Sequence, residues 1–306
     1  MRIFLFTILL GMLYSFDSSV CYADLPMMNG APPDNARMQV VDQELDRVET
    51  FRHGQMAIPK KNMIGLSSEV YWAKFDEPGN YSQKGSLSGY DLEYEHRITN
   101  NPKTLINMFG LEAQWANGKF KQAPDVGPSG IKDYTFDLRG IVGKDLYPSS
   151  YVRMTPYFGF GYRYLKDNSE GLDTVVDDFT LLGYKRYSHY DYLPFGTDIV
   201  FQADPNYSWE SKLEYDRMFN GWEVDKLGVL PGYSTLVLDE KSGNGLRASL
   251  RFNIYLKYCT AYAEAFYRYW NIAKSDSKTD PGAPGFGLNE PKNNTQEFGM
   301  RIGVQI

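Results

Sequence analysis

From Met63 onward, apolar and polar residues alternate with period two. The alternation resolves into ten segments, at 63–76, 85–99, 103–117, 131–146, 150–165, 188–203, 207–220, 243–257, 258–273 and 294–306. Most exceed the ~9–11 residues that a tilted strand needs to cross a bilayer. The linkers alternate too. NNPK, YPSS, DPNY and Lys257-Tyr258 make tight connections, and the first three carry turn-forming Asn, Pro, Ser or Asp. EPGNYSQK, the stretch after Trp115, and residues 166–187, 221–242 and 273–293 are long. Strict alternation of short and long connections, with an even strand count, predicts an all-β fold: a transmembrane up-and-down antiparallel β-barrel of ten strands with both ends on the short-turn side.

The second segment fixes which face looks outward. In SGYDLEYEHRI, Tyr90, Leu92, Tyr94 and Ile98 share one side with His96, while Asp91, Glu93, Glu95 and Arg97 share the other. A charge on the lipid face near the midplane costs up to ~2–4 kcal/mol. Four of them would rival the ~5–15 kcal/mol stability of a whole domain. The apolar file therefore faces out and the charged file lines the lumen. The same parity turns Glu112, Asp137, Arg139, Arg153, Arg163, Glu210, Glu214, Arg247, Arg251, Glu264, Arg268, Glu297 and Arg301 inward. Lys257 falls in with them, and Phe266 and Trp270 share the lumen parity of Glu264. Acids and bases nearly balance, so paired charges across a narrow interior are expected rather than a single-sign ring. A hairpin turning at Lys257-Tyr258 places Arg251 opposite Glu264, a predicted cross-strand ion pair. Pro156 and Pro194 remove ladder donors and predict bulges. Trp72, Phe75, Trp115 and Trp209 near strand ends predict an interfacial aromatic girdle.

Outside the period-two region the pattern differs. Ile3–Leu13 is the one long apolar run, follows Met1-Arg2, and precedes small residues Cys21 and Ala23. This predicts a secretory signal peptide over 1–23, cut after Ala23. Cleavage would leave Cys259 as the only cysteine, so no bridge is expected to hold the fold. Residues 24–62 form an N-terminal periplasmic or lumen-plugging segment, in which Met38, Val41, Leu45 and Val48 predict a short amphipathic helix over 36–51. Residues 63–306 form the barrel. With 42 % apolar residues and a formal net charge of −6, the chain carries no basic block, and nucleic acid is not an expected partner.

Candidate chemistry is sparse. No nucleophile elbow, phosphate-binding loop or His/Cys metal spacing is present, and no catalytic, cofactor or metal residue is assigned. His189, in YSHYDY and two residues from Asp191, is the one place where a rim hydrolase acting on lipid or peptide could be built. Acids in 166–187 match no calcium-loop spacing. The expectation is a non-enzymatic barrel: an envelope or surface-interaction protein, or a narrow passive pore.

FYRYWNI (Phe266 to Ile272) and the closing EPKNNTQEFGMRIGVQI (Glu290 to Ile306) resemble Gram-negative outer-membrane β-barrel proteins, especially an uncharacterised porin-like group rich in tyrosine. The resemblance implies a bacterial outer-membrane location, contact with membrane lipid and lipopolysaccharide, and recognition of the last strand by the barrel-assembly machinery. The family usually ends on an aromatic residue; Ile306 stands there instead.

Overall fold

The computed structural model describes residues 59–77, 81–98, 104–123, 129–176, 179–229, 232–282, 284–285 and 287–306. The expected signal peptide, the 36–51 helix and nearly all of the 24–62 segment lie outside the described residues. Ten long strands carry the fold: β1 (Asn62–Glu77), β2 (Tyr81–Arg97), β3 (Met108–Ala123), β4 (Ser129–Gly143), β5 (Val152–Asn168), β6 (Lys185–Asp204), β7 (Tyr207–Lys226), β8 (Gly243–Tyr255), β9 (Thr260–Ile272) and β10 (Asn293–Gln305). Each pairs antiparallel with the next, and β10 pairs with β1, so the sheet closes on itself and leaves no edge along its length. Short segments at Leu146–Ser149 and Thr235–Asp239 lengthen the wall at the two ends.

Closure sorts the residues by parity. On β1, Ser67, Glu69, Tyr71 and Ala73 are buried, while Leu66, Val70 and Trp72 are exposed on the outer wall. The same holds around the barrel: Tyr90, Leu92 and Tyr94, Leu246, Leu250 and Ile254, and Phe298 and Met300 are all exposed. Polar side chains inside and apolar ones outside invert the water-soluble arrangement, in which a barrel interior is its greasy core. The glycines of the last strand have a steric reason. A Cβ on Gly299 would stand 2.3 Å from Cβ of Tyr71, and one on Gly303 would stand 2.5 Å from Cζ of Tyr262. Rings from neighbouring strands lie over these bare backbone positions.

Several boundaries differ from expectation. β3 starts at Met108 rather than 103, so the NNPK connection is ten residues long (98–107) and not a tight turn, while the connections expected to be long at EPGNYSQK and after Trp115 shrink to 78–80 and 124–128 because the strands extend into them. At Pro194 the β5–β6 ladder lapses between Phe158↔Phe195 and Gly161↔Tyr192 without changing register, and Pro156 causes no register shift with β6. The bulge falls instead on β7, between Met218 and Asn220. Phe75 sits beside the lumen under the Arg186 guanidinium, 5.2 Å from the ring centroid, so it is no girdle residue. Lys257 is exposed in the turn. Cys259 is buried beside the Lys257-Tyr258 turn.

Candidate functional site: the lumen and its outer mouth

Alternation on ten closed strands drives many charged side chains into one narrow space. Their geometry there is that of cross-lumen ion pairs. Arg251 on β8 donates from Nε to Glu264 on β9 at 2.6 Å, the pair that the Lys257-Tyr258 turn predicts. It also reaches Glu93 on β2 at 3.0 and 2.5 Å and lies 4.1 Å over the ring of Tyr262. Arg139 on β4 bonds Glu112 at 2.5 Å and crosses to Glu214 on β7, whose other bond comes from the Tyr157 hydroxyl at 2.8 Å. Arg247 holds Asp216 and Asp137, both at 2.8 Å, and Asp137 also accepts from the Tyr192 hydroxyl. Arg163 on β5 spans to Glu297 on β10 at 2.5 Å, and Arg268 meets the same carboxylate at 2.7 Å. Arg301 lies within 3.3–3.8 Å of Glu69, Asp91, Glu93 and Glu264. Towards the short-turn end, Arg97 joins Glu95 at 2.9 Å and also bonds Asp145. Arg153 is buried at that end, and Glu210 accepts from Asn253 at 3.4 Å.

The guanidiniums therefore link opposite walls rather than ring an open bore. Above them lie two clusters of rings and aliphatic side chains. One joins Tyr71, Phe266, Leu87, Phe120 and Ile131; the other joins Tyr190, Tyr192, Trp270, Met218 and Ile272.

At the long-loop end, beyond these rings, the balance of charge changes. Arg186 on β6 bonds Glu290 at 2.8 Å and Glu77 at 3.4 Å, and stands 3.8 Å from Asp167. Asp133, Glu223, Asp225 and Glu240 lie in its field as well. Seven carboxylates thus surround one guanidinium. Sequence alternation alone does not find these residues. The bulge at Met218–Asn220 reverses the parity of β7, so Gly221, Glu223 and Asp225 face inward where an unbroken ladder would turn them out. Asp133 is the exception, since it shares the inward parity of Asp137 within 131–146; Asp167, Glu77 and Glu290 lie at strand ends or in connections, where a few residues of boundary error conceal the facing. Burial, reinforced by the neighbouring Glu290, pushes Glu240 up to about 8. Burial also lifts Asp225 to about 6 although Arg186 opposes it. Asp133 rises well above the carboxylate range through burial and the nearby Asp167.

His189 points to the outer wall. Its ring stacks on Trp222 at 4.6 Å and 7°, and its Nδ1 pairs with the Tyr162 hydroxyl at 2.7 Å. Asp191 accepts from Asn220 at 2.8 Å. The His–Asp neighbours in sequence thus have separate partners.

No family model and no curated protein matches the chain. Solved structures do. The outer membrane protease OmpT from Escherichia coli superposes with a TM-score of 0.50 at 9 % identity, covering 81 % of this chain and 96 % of that one. The translocator domain of the autotransporter NalP from Neisseria meningitidis gives 0.42 at 12 %, covering 89 % and 97 %. The attachment invasion locus protein Ail of Yersinia pestis gives 0.29 at 13 %, covering 81 % and 100 %. At these identities the likeness is one of fold.

Proposed function

We propose that the chain is a non-enzymatic integral protein of a Gram-negative outer membrane, with a closed lumen and its working surface at the long-loop end. The observation that carries the closed lumen is the set of guanidiniums bonded across it, Arg139 to Glu214, Arg163 to Glu297 and Arg251 to Glu93. A continuous wet path would have to break such bonds, and losing one partner of a buried pair costs ~3–5 kcal/mol. A narrow passive pore is the weaker reading for that reason.

The outer wall supports a membrane seat. Its apolar belt ends, towards the long loops, in a one-sided band of lysines on β1 to β6. Lys74 faces Lys84, Lys84 faces Lys121, and Lys119 faces Lys132. Like charges directly opposite one another destabilise a sheet. Asp76 meets Lys74 at 3.3 Å, and phosphates of lipopolysaccharide at the edge of the hydrocarbon would add further counter-charge, which makes this lipid the proposed partner for the band. The apolar file of β10 is the surface that the assembly machinery would read. A rim hydrolase at His189 is disfavoured by the Tyr162 and Trp222 contacts, which suit a girdle residue better than a general base.

Fractionation tests the reading. The chain should remain with washed membranes through alkaline carbonate, come out only with detergent, and migrate differently on gels before and after boiling. Release by carbonate alone would refute membrane insertion. Hydrolysis of lipid or peptide abolished by His189→Ala would refute the non-enzymatic role.

A further inference from the structure

The mouth of the lumen has features that the closed interior does not explain. Beneath the Arg186 cluster lies a cavity of about 70 Å³, lined by the charged side chains of Asp133, Asp167, Glu223, Glu297, Arg163 and Arg186 and, on another part of its wall, by Leu87, Phe120 and Ile272. That is enough for a few waters or one ammonium-sized head. Glu223 is 2 % exposed; its Oε2 accepts from Ser188 at 3.0 Å, while its Oε1 has no hydrogen-bond partner. Asp225 Oδ1, on the next inward position of β7, is also buried without a partner. The nearby guanidiniums are bonded to other acids, Arg163 to Glu297 and Arg186 to Glu290 and Glu77, and a buried carboxylate oxygen left without its own partner is costly.

The missing partner is therefore cationic, and the arrangement narrows its kind. Among the described residues no three acidic or histidine groups stand close enough to hold a metal ion. Negative charge is spread along the mouth rather than focused on one point. Part of the wall between the acids is apolar, and the Tyr190 ring on the same wall can face a cation. We propose that the acid-rich mouth binds an alkyl polyammonium ion, a polyamine, with one ammonium group in the cavity at Glu223 and the rest of its chain in the mouth among the remaining carboxylates. This goes beyond the envelope role and depends on neither membrane insertion nor the absence of conduction.

Calorimetric titration of the full chain, folded in detergent micelles, with spermidine tests it. The wild-type protein should show saturable binding that sodium chloride at equal charge does not reproduce. Glu223→Gln should weaken it about tenfold, the equivalent of ~1.4 kcal/mol. Heat-dependent gel mobility verifies folding, and Asp225→Asn serves as a second variant should Glu223→Gln fail to fold. Absence of saturable binding to folded wild-type protein would overturn the proposal. So would unchanged affinity in a folded variant, or displacement of spermidine by magnesium at equal charge.

Discussion

Replacing Arg251 by methionine keeps an apolar stem of similar length and removes the guanidinium that joins three strands. In the wild type, that group makes contacts of 2.6 Å to Glu264 and 3.0 and 2.5 Å to Glu93, and lies 4.1 Å over Tyr262. Arg251→Met leaves two buried carboxylates with Arg301, 3.8 Å from each, and the more distant Lys212 as their remaining cations. Removing one partner of a buried pair costs ~3–5 kcal/mol. Arg301 offsets part of this, while the lost cation–π contact adds ~0.5–2 kcal/mol. The expected loss is therefore about 3–5 kcal/mol of unfolding free energy, read by urea titration of tryptophan fluorescence in lipid vesicles. Glu264→Gln in the Arg251→Met background should recover part of it, with a coupling energy of ~1–3 kcal/mol in the double-mutant cycle. A loss below ~1 kcal/mol with no coupling is what a solvated pair gives. That result would refute the dry, ion-paired interior.

Leu250→Arg, at a half-exposed position of the apolar belt, should cost ~2–4 kcal/mol in vesicles, whereas Ser86→Arg, outside the belt but opposite Lys119, should cost only ~0.2–1. Gly299→Val drives a Cβ to 2.3 Å from Tyr71 and should destabilise by ~1–3 kcal/mol, while Gly228→Ala, with nothing within 4 Å, should be neutral in the same urea titration. At the outer mouth, the folded state holds protons on Asp225 and Glu240 above the ordinary carboxylate range. The facing groups are Glu77, Asp133, Asp167, Glu223, Glu290 and the single Arg186. Stability from these raised values is complete below the ordinary range and falls as pH rises through about 6 for Asp225 and about 8 for Glu240. Hydrogen exchange at 222–226 and 235–239, corrected for intrinsic rate, should therefore be faster at pH 8 than at pH 5, and Asp225→Asn with Glu240→Gln should flatten the difference.

The barrel is readable from sequence because alternation within the strands is nearly unbroken, although the short–long rhythm of the connections holds only from the fifth strand on, the first hairpins being joined by 78–80, 98–107, 124–128 and 144–151. Alternation within strands assigns the faces, and an even count of such strands, each long enough to span a bilayer, assigns the closed antiparallel topology. Strand β2 shows why the first is decisive: Asp91 and Glu93 cannot share a face with Leu92 without a large cost in lipid. The Arg251–Glu264 pair is legible for a similar reason, since a two-residue turn fixes every partner along both strands. The acid-rich mouth is not legible, because parity survives only while the ladder does. One inserted residue near Phe219 turns Glu223 and Asp225 from outward to inward, and nothing local in FNGWEVD announces it. The prolines mislead in the same region: Pro194 breaks a ladder without shifting it, while the shift occurs on the neighbouring strand. The pairing of Arg163 with Glu297 across the lumen is likewise beyond reach of sequence, since it depends on the bore and on which rings fill it.

Single-channel recording of the full chain reconstituted in planar bilayers tests the closed lumen most directly. Arg139, Arg163 and Arg251 bonded across the bore predict a membrane-inserted protein without steady conductance steps. Reproducible steps of uniform size, persisting over seconds at constant voltage, would contradict it.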